Sequence, residues 1–128
     1  MGSGDGVEEG RRVRARVLGE AHVARAEAAA TAFDAPFQAL ITEGAWARVW
    51  GREGLSLRDR SLITLSLLAA LGHWDEFAMH VRATASTGAT PEEVREALLH
   101  VATYAGVPAA NRGLKEARRA FAEIGVTV

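Results

Sequence analysis

The stretch "GHWDEFAMHVRA" spans residues 72–83 and carries His73, Glu76 and His80 at i, i+3 and i+7. On a helix that spacing stacks all three on one side. Three uses fit such a face. Imidazole and carboxylate both bind zinc, and Glu76 and His80 have the i, i+4 spacing of short zinc motifs, but no further cluster of His, Asp or Glu supplies a third ligand. As an acid–base pair, Glu76 would orient the His80 imidazole and hold its tautomer and charge, leaving the other ring nitrogen to trade a proton with a ligand. The third use is structural, with His73 in a loop after Gly72 and Glu76–His80 a helix-surface pair. Phe77, Met79 and Val81 are apolar and Ala78 is small, which places His80 in partly buried surroundings, where an ionisable group is more often functional.

The elements that must position this face read as helices throughout, punctuated by Gly and Pro. Residues 1–10 read as a flexible lead-in and 11–128 as one helical domain. Val13, Val17 and Leu18 mark a first helix with Arg11, Arg12, Arg14 and Arg16 on its outer side, and an Ala-rich segment follows at 20–33. Asp34 and Pro36 open a third helix whose expected inner stripe is Phe37, Leu40, Ile41, Ala45 and Val49. "SLRD" (56–59) opens a helix to Leu71, and eight of the ten residues 62–71 are apolar. A helix without a polar face must be covered on every side, so a neighbouring subunit is expected to supply part of the cover. The quoted stretch forms the next helix, to Thr87. "TPEE" (90–93) is a capping box with Pro91 at the first helical position, and a last helix runs from "GVP" (106–108) to Gly125. The class is all-α, a single-domain bundle of about six helices.

Composition narrows the function classes. Apolar residues make up 48% and charged residues 24%, as in ordinary globular domains. A net charge of −1 gives no general attraction to nucleic acid or an anionic membrane, and no stretch approaches the roughly 18 apolar residues of a span. Neither partner is expected, and the expected compartment is the cytoplasm. The chain has no Cys, which removes disulfides, thiolate metal sites and thiol catalysis. Fourteen of its fifteen basic residues are Arg, the side chain suited to gripping carboxylates, and Lys115 is the exception.

The segments "LGEAHV" (18–23), "RDRSLITL" (58–65), "HVRA" (80–83) and "GATPEEVREALLHVATYAGVPAAN" (88–111) together resemble the carboxymuconolactone decarboxylase family over about residues 11–123. "LGEAHV" looks like the stand-alone branch of that family. The resemblance implies a fold of the alkylhydroperoxidase D-like type that forms oligomers, a hexamer or trimer. Another branch of the superfamily carries Cys-x-x-Cys-x-x-x-His on a helix, with a Glu twelve residues before the first Cys. Laid on this chain, that pattern puts the His at His80, the two Cys at His73 and Glu76, and the Glu at Ser61. Dithiol peroxidase chemistry is impossible without the thiols.

The activity implied is decarboxylation of γ-carboxymuconolactone, a small anionic lactone, to 3-oxoadipate enol-lactone in aromatic catabolism. The substrate's own conjugated lactone accepts the electron pair, so neither cofactor nor metal is expected. His80 and Glu76 are the catalytic candidates under this resemblance. Arg58, Arg60 and Arg82 are the carboxylate clamps, and His73, Ser61 and His22 further substrate contacts. Two other functions fit the same scaffold: an enzyme acting on another activated carboxylate or lactone, with Trp74 shaping the pocket, and a non-catalytic oligomeric binding protein. Trp46 and Trp50 read as core or interface, and His100 as a packing residue.

Overall fold

A computed structural model describes residues 3–128, and every regular element among them is helical. The chain divides into two compact units, one ending at Ser56 and the other beginning at Leu57.

In the first unit, α1 (Ser3–Leu18) and α2 (Glu20–Ala29) are followed by α3 (Ala35–Ile41), which runs directly into a π-helical stretch, Thr42–Trp50. Helix α1 thus begins at Ser3, well inside the segment expected to be a flexible lead-in. The reason is packing. Gly10 is buried, and a Cβ there would lie 1.9 Å from the Thr42 carbonyl oxygen, so α1 crosses the π-helical stretch in backbone contact. Val13, Val17 and Val23 are buried as the apolar spacing requires. The third helix turns differently from expectation. Phe37, Leu40 and Val49 are exposed, while Thr42, Trp46 and Trp50 are buried. The i→i+5 ladder of a π-helix widens the turn, which brings residues four apart into line and rotates the stripe. Trp46 and Trp50 stack with ring centroids 5.3 Å apart.

Asp34 does not cap α3; its carboxylate accepts from the Thr31 amide at 2.8 Å instead. Arg14, expected on the outer side, is half-buried and donates to Gln38 Oε1 at 3.3 Å. Arg11 does face outward and holds both Glu20 and Glu27 at 2.7 Å. These two carboxylates raise the Arg11 pKa, and Arg11 in turn lowers that of Glu27.

The second unit contains α4 (Leu57–Leu71), α5 (Trp74–Arg82), α6 (Thr84–Thr87), α7 (Pro91–Tyr104) and α8 (Val107–Glu123). Counting α5 and α6 separately, the described residues form eight α-helices and one π-helical stretch, more than the expected six. The capping box of α7 is complete: Glu93 N donates to Thr90 Oγ1 at 3.1 Å, and Thr90 N donates to Glu93 Oε1 at 2.9 Å. Helices α4, α5, α7 and α8 pack around Leu65, Ala69, Phe77, Val81, Val94, Leu98, Val101, Ala117 and Phe121. At Gly113 the α7–α8 contact is so close that a Cβ would come within 2.8 Å of Leu98 Cδ2. Helix α4 turns Ser61, Leu65 and Ala69 inward and leaves Ile63, Leu67 and Leu71 49%, 57% and 67% exposed on its other side. That outer stripe is the part of the apolar helix that the unit does not cover.

Candidate active site

The quoted stretch becomes α5, with His73 at its N-cap, its side chain making no capping bond. The helix is strongly two-sided: Phe77, His80 and Val81 are buried, whereas His73, Asp75 and Glu76 are exposed. The shared helix side read from spacing therefore separates on folding. His80 enters the interior of the second unit with its Nδ1 out of reach of solvent, and Glu76 stays at the surface. The expected orienting carboxylate is not buried beside the imidazole. Within the nine-residue α5, His80 flanks Phe77 and Val81 on the buried face, whereas Glu76 lies a step further round and His73 precedes the helix.

Ser61 is fully buried on α4, which packs against α5. Its hydroxyl has no hydrogen-bond partner among the described residues. Arg60, its neighbour, is half-buried with its Nε shielded from solvent.

The other two arginines are committed to carboxylates of their own chain. Arg58 Nε donates to Glu93 Oε2 at 2.6 Å, and its NH1 donates to Asp59 at 2.9 Å. The Arg58 guanidinium and the Thr90 amide together hold the Glu93 carboxyl down at about 2, and Glu93 raises Arg58 in return. Arg82 NH1 donates to Glu123 Oε2 at 3.0 Å, tying α5 to α8. These two expected clamps thus join helices within the second unit. His22, the sixth substrate-binding candidate, is half-buried on α2 in the first unit.

Several features escaped the sequence reading. Thr87, in what looks like the plain helix tail "TASTG", is buried, and its hydroxyl has no hydrogen-bond partner among the described residues. Glu116 is buried on α8 with Arg119 at 3.1 Å, an i, i+3 pair that the spacing does signal. Trp74 packs edge-on to Phe77 and lies under the Arg112 guanidinium, 5.3 Å from the ring centroid. His100, expected to pack inside, is exposed and stacks on Tyr104.

Among the described residues no group of three His, Cys, Asp or Glu could hold a metal ion, and no helix is long and apolar enough to cross a membrane. A groove of about 310 Å3 between α7, α8 and the C-terminal Thr127–Val128 contains none of the candidate residues. Its lining is mostly apolar, with Arg95 and Arg118 among the charged residues. The buried candidates Ser61 and His80 lie on α4 and α5 instead, and the buried Thr87 on α6.

Comparison with known proteins identifies the scaffold. The sequence profile of the Carboxymuconolactone decarboxylase family matches residues 35–119, from the start of α3 into the last turns of α8. The 4-carboxymuconolactone decarboxylase of Acinetobacter baylyi is 42% identical over 119 residues, covering 93% of this chain and 89% of that protein. A nitrosuccinic acid decarboxylase of Metarhizium robertsii is 46% identical over 101 residues, covering 79% and 71%. An uncharacterized 15.0 kDa protein of Paracoccus denitrificans is 31% identical over 78 residues, covering 59% and 58%. With its profile match spanning most of the chain and its helices in place, this protein belongs to the carboxymuconolactone decarboxylase family.

Proposed function

We propose that the chain is a cytoplasmic carboxy-lyase that converts γ-carboxymuconolactone to 3-oxoadipate enol-lactone. The observation that carries this reading is 42% identity to a 4-carboxymuconolactone decarboxylase across 93% of the chain. Burial of His80 on the motif helix supports it further.

The reaction breaks the bond between the ring carbon and its carboxylate. Carbon dioxide leaves, and the electron pair passes through the ring double bond to the lactone carbonyl oxygen, giving an oxyfuran-like enolate. A proton then adds to the ring carbon beside that carbonyl, which re-forms the C=O and yields the enol-lactone. The protein must place the departing carboxylate in surroundings that do not favour the ground state, stabilise the enolate oxygen and deliver one proton. His80, a titratable group in dry surroundings, is assigned the proton. Glu76, one turn earlier at the surface, acts on the imidazole's charge through space and not as a buried partner. Arg60, half-buried beside Ser61 on the helix that packs against α5, is assigned as a carboxylate clamp. His73 and His22 are assigned lesser substrate contacts.

The test is a stopped assay on chelator-treated protein with γ-carboxymuconolactone, following carbon dioxide and enol-lactone beside His80→Ala. Turnover by the wild type, indifferent to chelator and at least about a hundredfold lower in the variant, is the expected result. An inert wild type would overturn the assignment.

A second substrate class is favoured by the 46% identity to a nitrosuccinic acid decarboxylase. A nitro group, like a conjugated lactone, accepts the electron pair left by carbon dioxide, so the same proton donor serves either compound. Turnover of nitrosuccinate in preference to the lactone would select that reading.

The active form is assigned as a homo-oligomer, a trimer or hexamer, with the outer α4 stripe of Ile63, Leu67 and Leu71 covered by another copy.

A further inference from the structure

Hydroxyl groups on the helices of the second unit have a standard solution to burial. The half-buried Ser66 donates to the Leu62 carbonyl at 2.8 Å, and the buried Thr84 to Val81 at 2.6 Å. Ser61 and Thr87 depart from it. Each is more than nine-tenths buried, and each hydroxyl oxygen is shielded from solvent without a hydrogen-bond partner among the described residues. The turn at Gly72–His73 sends α5 back along α4, and α6, which carries Thr87, packs against α4, which carries Ser61. Alanine and valine would fill these positions without burying an orphaned polar atom, so the hydroxyls impose a cost that the folded chain itself does not recover. Such a pair in dry surroundings is suited to an oxygen that gains charge during a reaction, because neutral donors there need no reorganisation.

We propose that Ser61 and Thr87 donate the hydrogen bonds that hold the substrate's lactone carbonyl oxygen as it becomes an enolate. The assignment rests on the decarboxylase reading and divides its labour. Both hydroxyls keep their protons while the electron pair gathers on the oxygen, and His80 supplies the proton to ring carbon. Being uncharged, they stabilise the enolate without neutralising the carboxylate that must leave.

Steady-state kinetics and thermal unfolding of ligand-free Ser61→Ala, Ser61→Cys and Thr87→Val test this. Ser61→Ala is expected to lower kcat about a hundredfold with KM changed by less than about twofold, and with Tm no lower than wild type. Thr87→Val is expected to follow the same pattern to a smaller extent. Unchanged kcat in both Ser61→Ala and Thr87→Val would overturn the proposal and leave the hydroxyls as partners of buried water. Should Ser61→Ala lose both kcat and Tm, the near-isosteric Ser61→Cys decides: low kcat in a stable protein supports a donor role, and full activity overturns it. A wild type that releases no carbon dioxide from the lactone would sink the decarboxylase reading itself. An active wild type with equally active variants would sink only the donor assignment.

Discussion

His80 is set apart by its burial, and Glu93 by the charges that set its protonation. His80 lies in the interior, where the loss of one imidazole removes the assigned proton source, and turnover is expected to fall as described above. Glu93 does structural work at the start of α7. Its pKa is lowered from 4.5 to about 2 by the Arg58 guanidinium first and the Thr90 amide second. A carboxyl whose folded pKa lies below its unfolded one stabilises the fold above the unfolded value and loses that contribution as pH falls toward the folded value. In acid titrations followed by circular dichroism, the stability difference between wild type and Glu93→Gln is therefore expected to be full above about pH 4.5. It should shrink as pH falls toward 2. A difference that persisted at pH 2 would contradict the ion-pair origin.

Helices were the part of the molecule most legible in the sequence, and their phases the least. "TPEE" announced the start of α7 because capping is local chemistry: Thr90, Pro91 and Glu93 need nothing beyond four residues. Replacing Thr90 with Ala is expected to cost about 1 kcal/mol, read as a lower denaturation midpoint in urea. The third helix was phased on a 3.6-residue period, and the π-helical ladder of Thr42–Trp50 moved the buried stripe to Thr42, Trp46 and Trp50. No residue type signals that wider turn. Equally silent is Gly10, whose missing side chain lets α1 reach the Thr42 carbonyl. Gly10→Ala forces those backbones apart and is expected to destabilise the protein by about 1–3 kcal/mol or more, whereas Gly44→Ala, where a Cβ meets open space, is expected to stabilise it by about 0.5–1 kcal/mol. Site residues were legible in the same uneven way. Helical spacing placed His73, Glu76 and His80 on one side, yet burial depends on which neighbours are largest, and Phe77 and Val81 took only His80 inward. Of the two orphaned hydroxyls, only Ser61 was singled out, by the family resemblance, whereas Thr87 looks like any helical Thr until its lack of a partner among the described residues is seen.

At the scale of the whole molecule, the family profile spans parts of both compact units, and nothing in the near-neutral charge favours a polyanionic partner. What the chain presents instead is Ile63, Leu67 and Leu71, a row of large aliphatic side chains on the outer side of α4. Leu67→Lys is expected to reduce the particle mass measured by light scattering while leaving the helical circular dichroism intact. An unchanged mass would show that this row joins no copies. If the row is an intersubunit seam, then the opposite side of that same helix, which holds Ser61 and Leu65, is braced by a neighbouring copy. Association and folding are then linked by mass action, so the melting temperature would climb with protein concentration. Specific activity would also decline on dilution, as subunits dissociate and the helix carrying Ser61 loses its outer support.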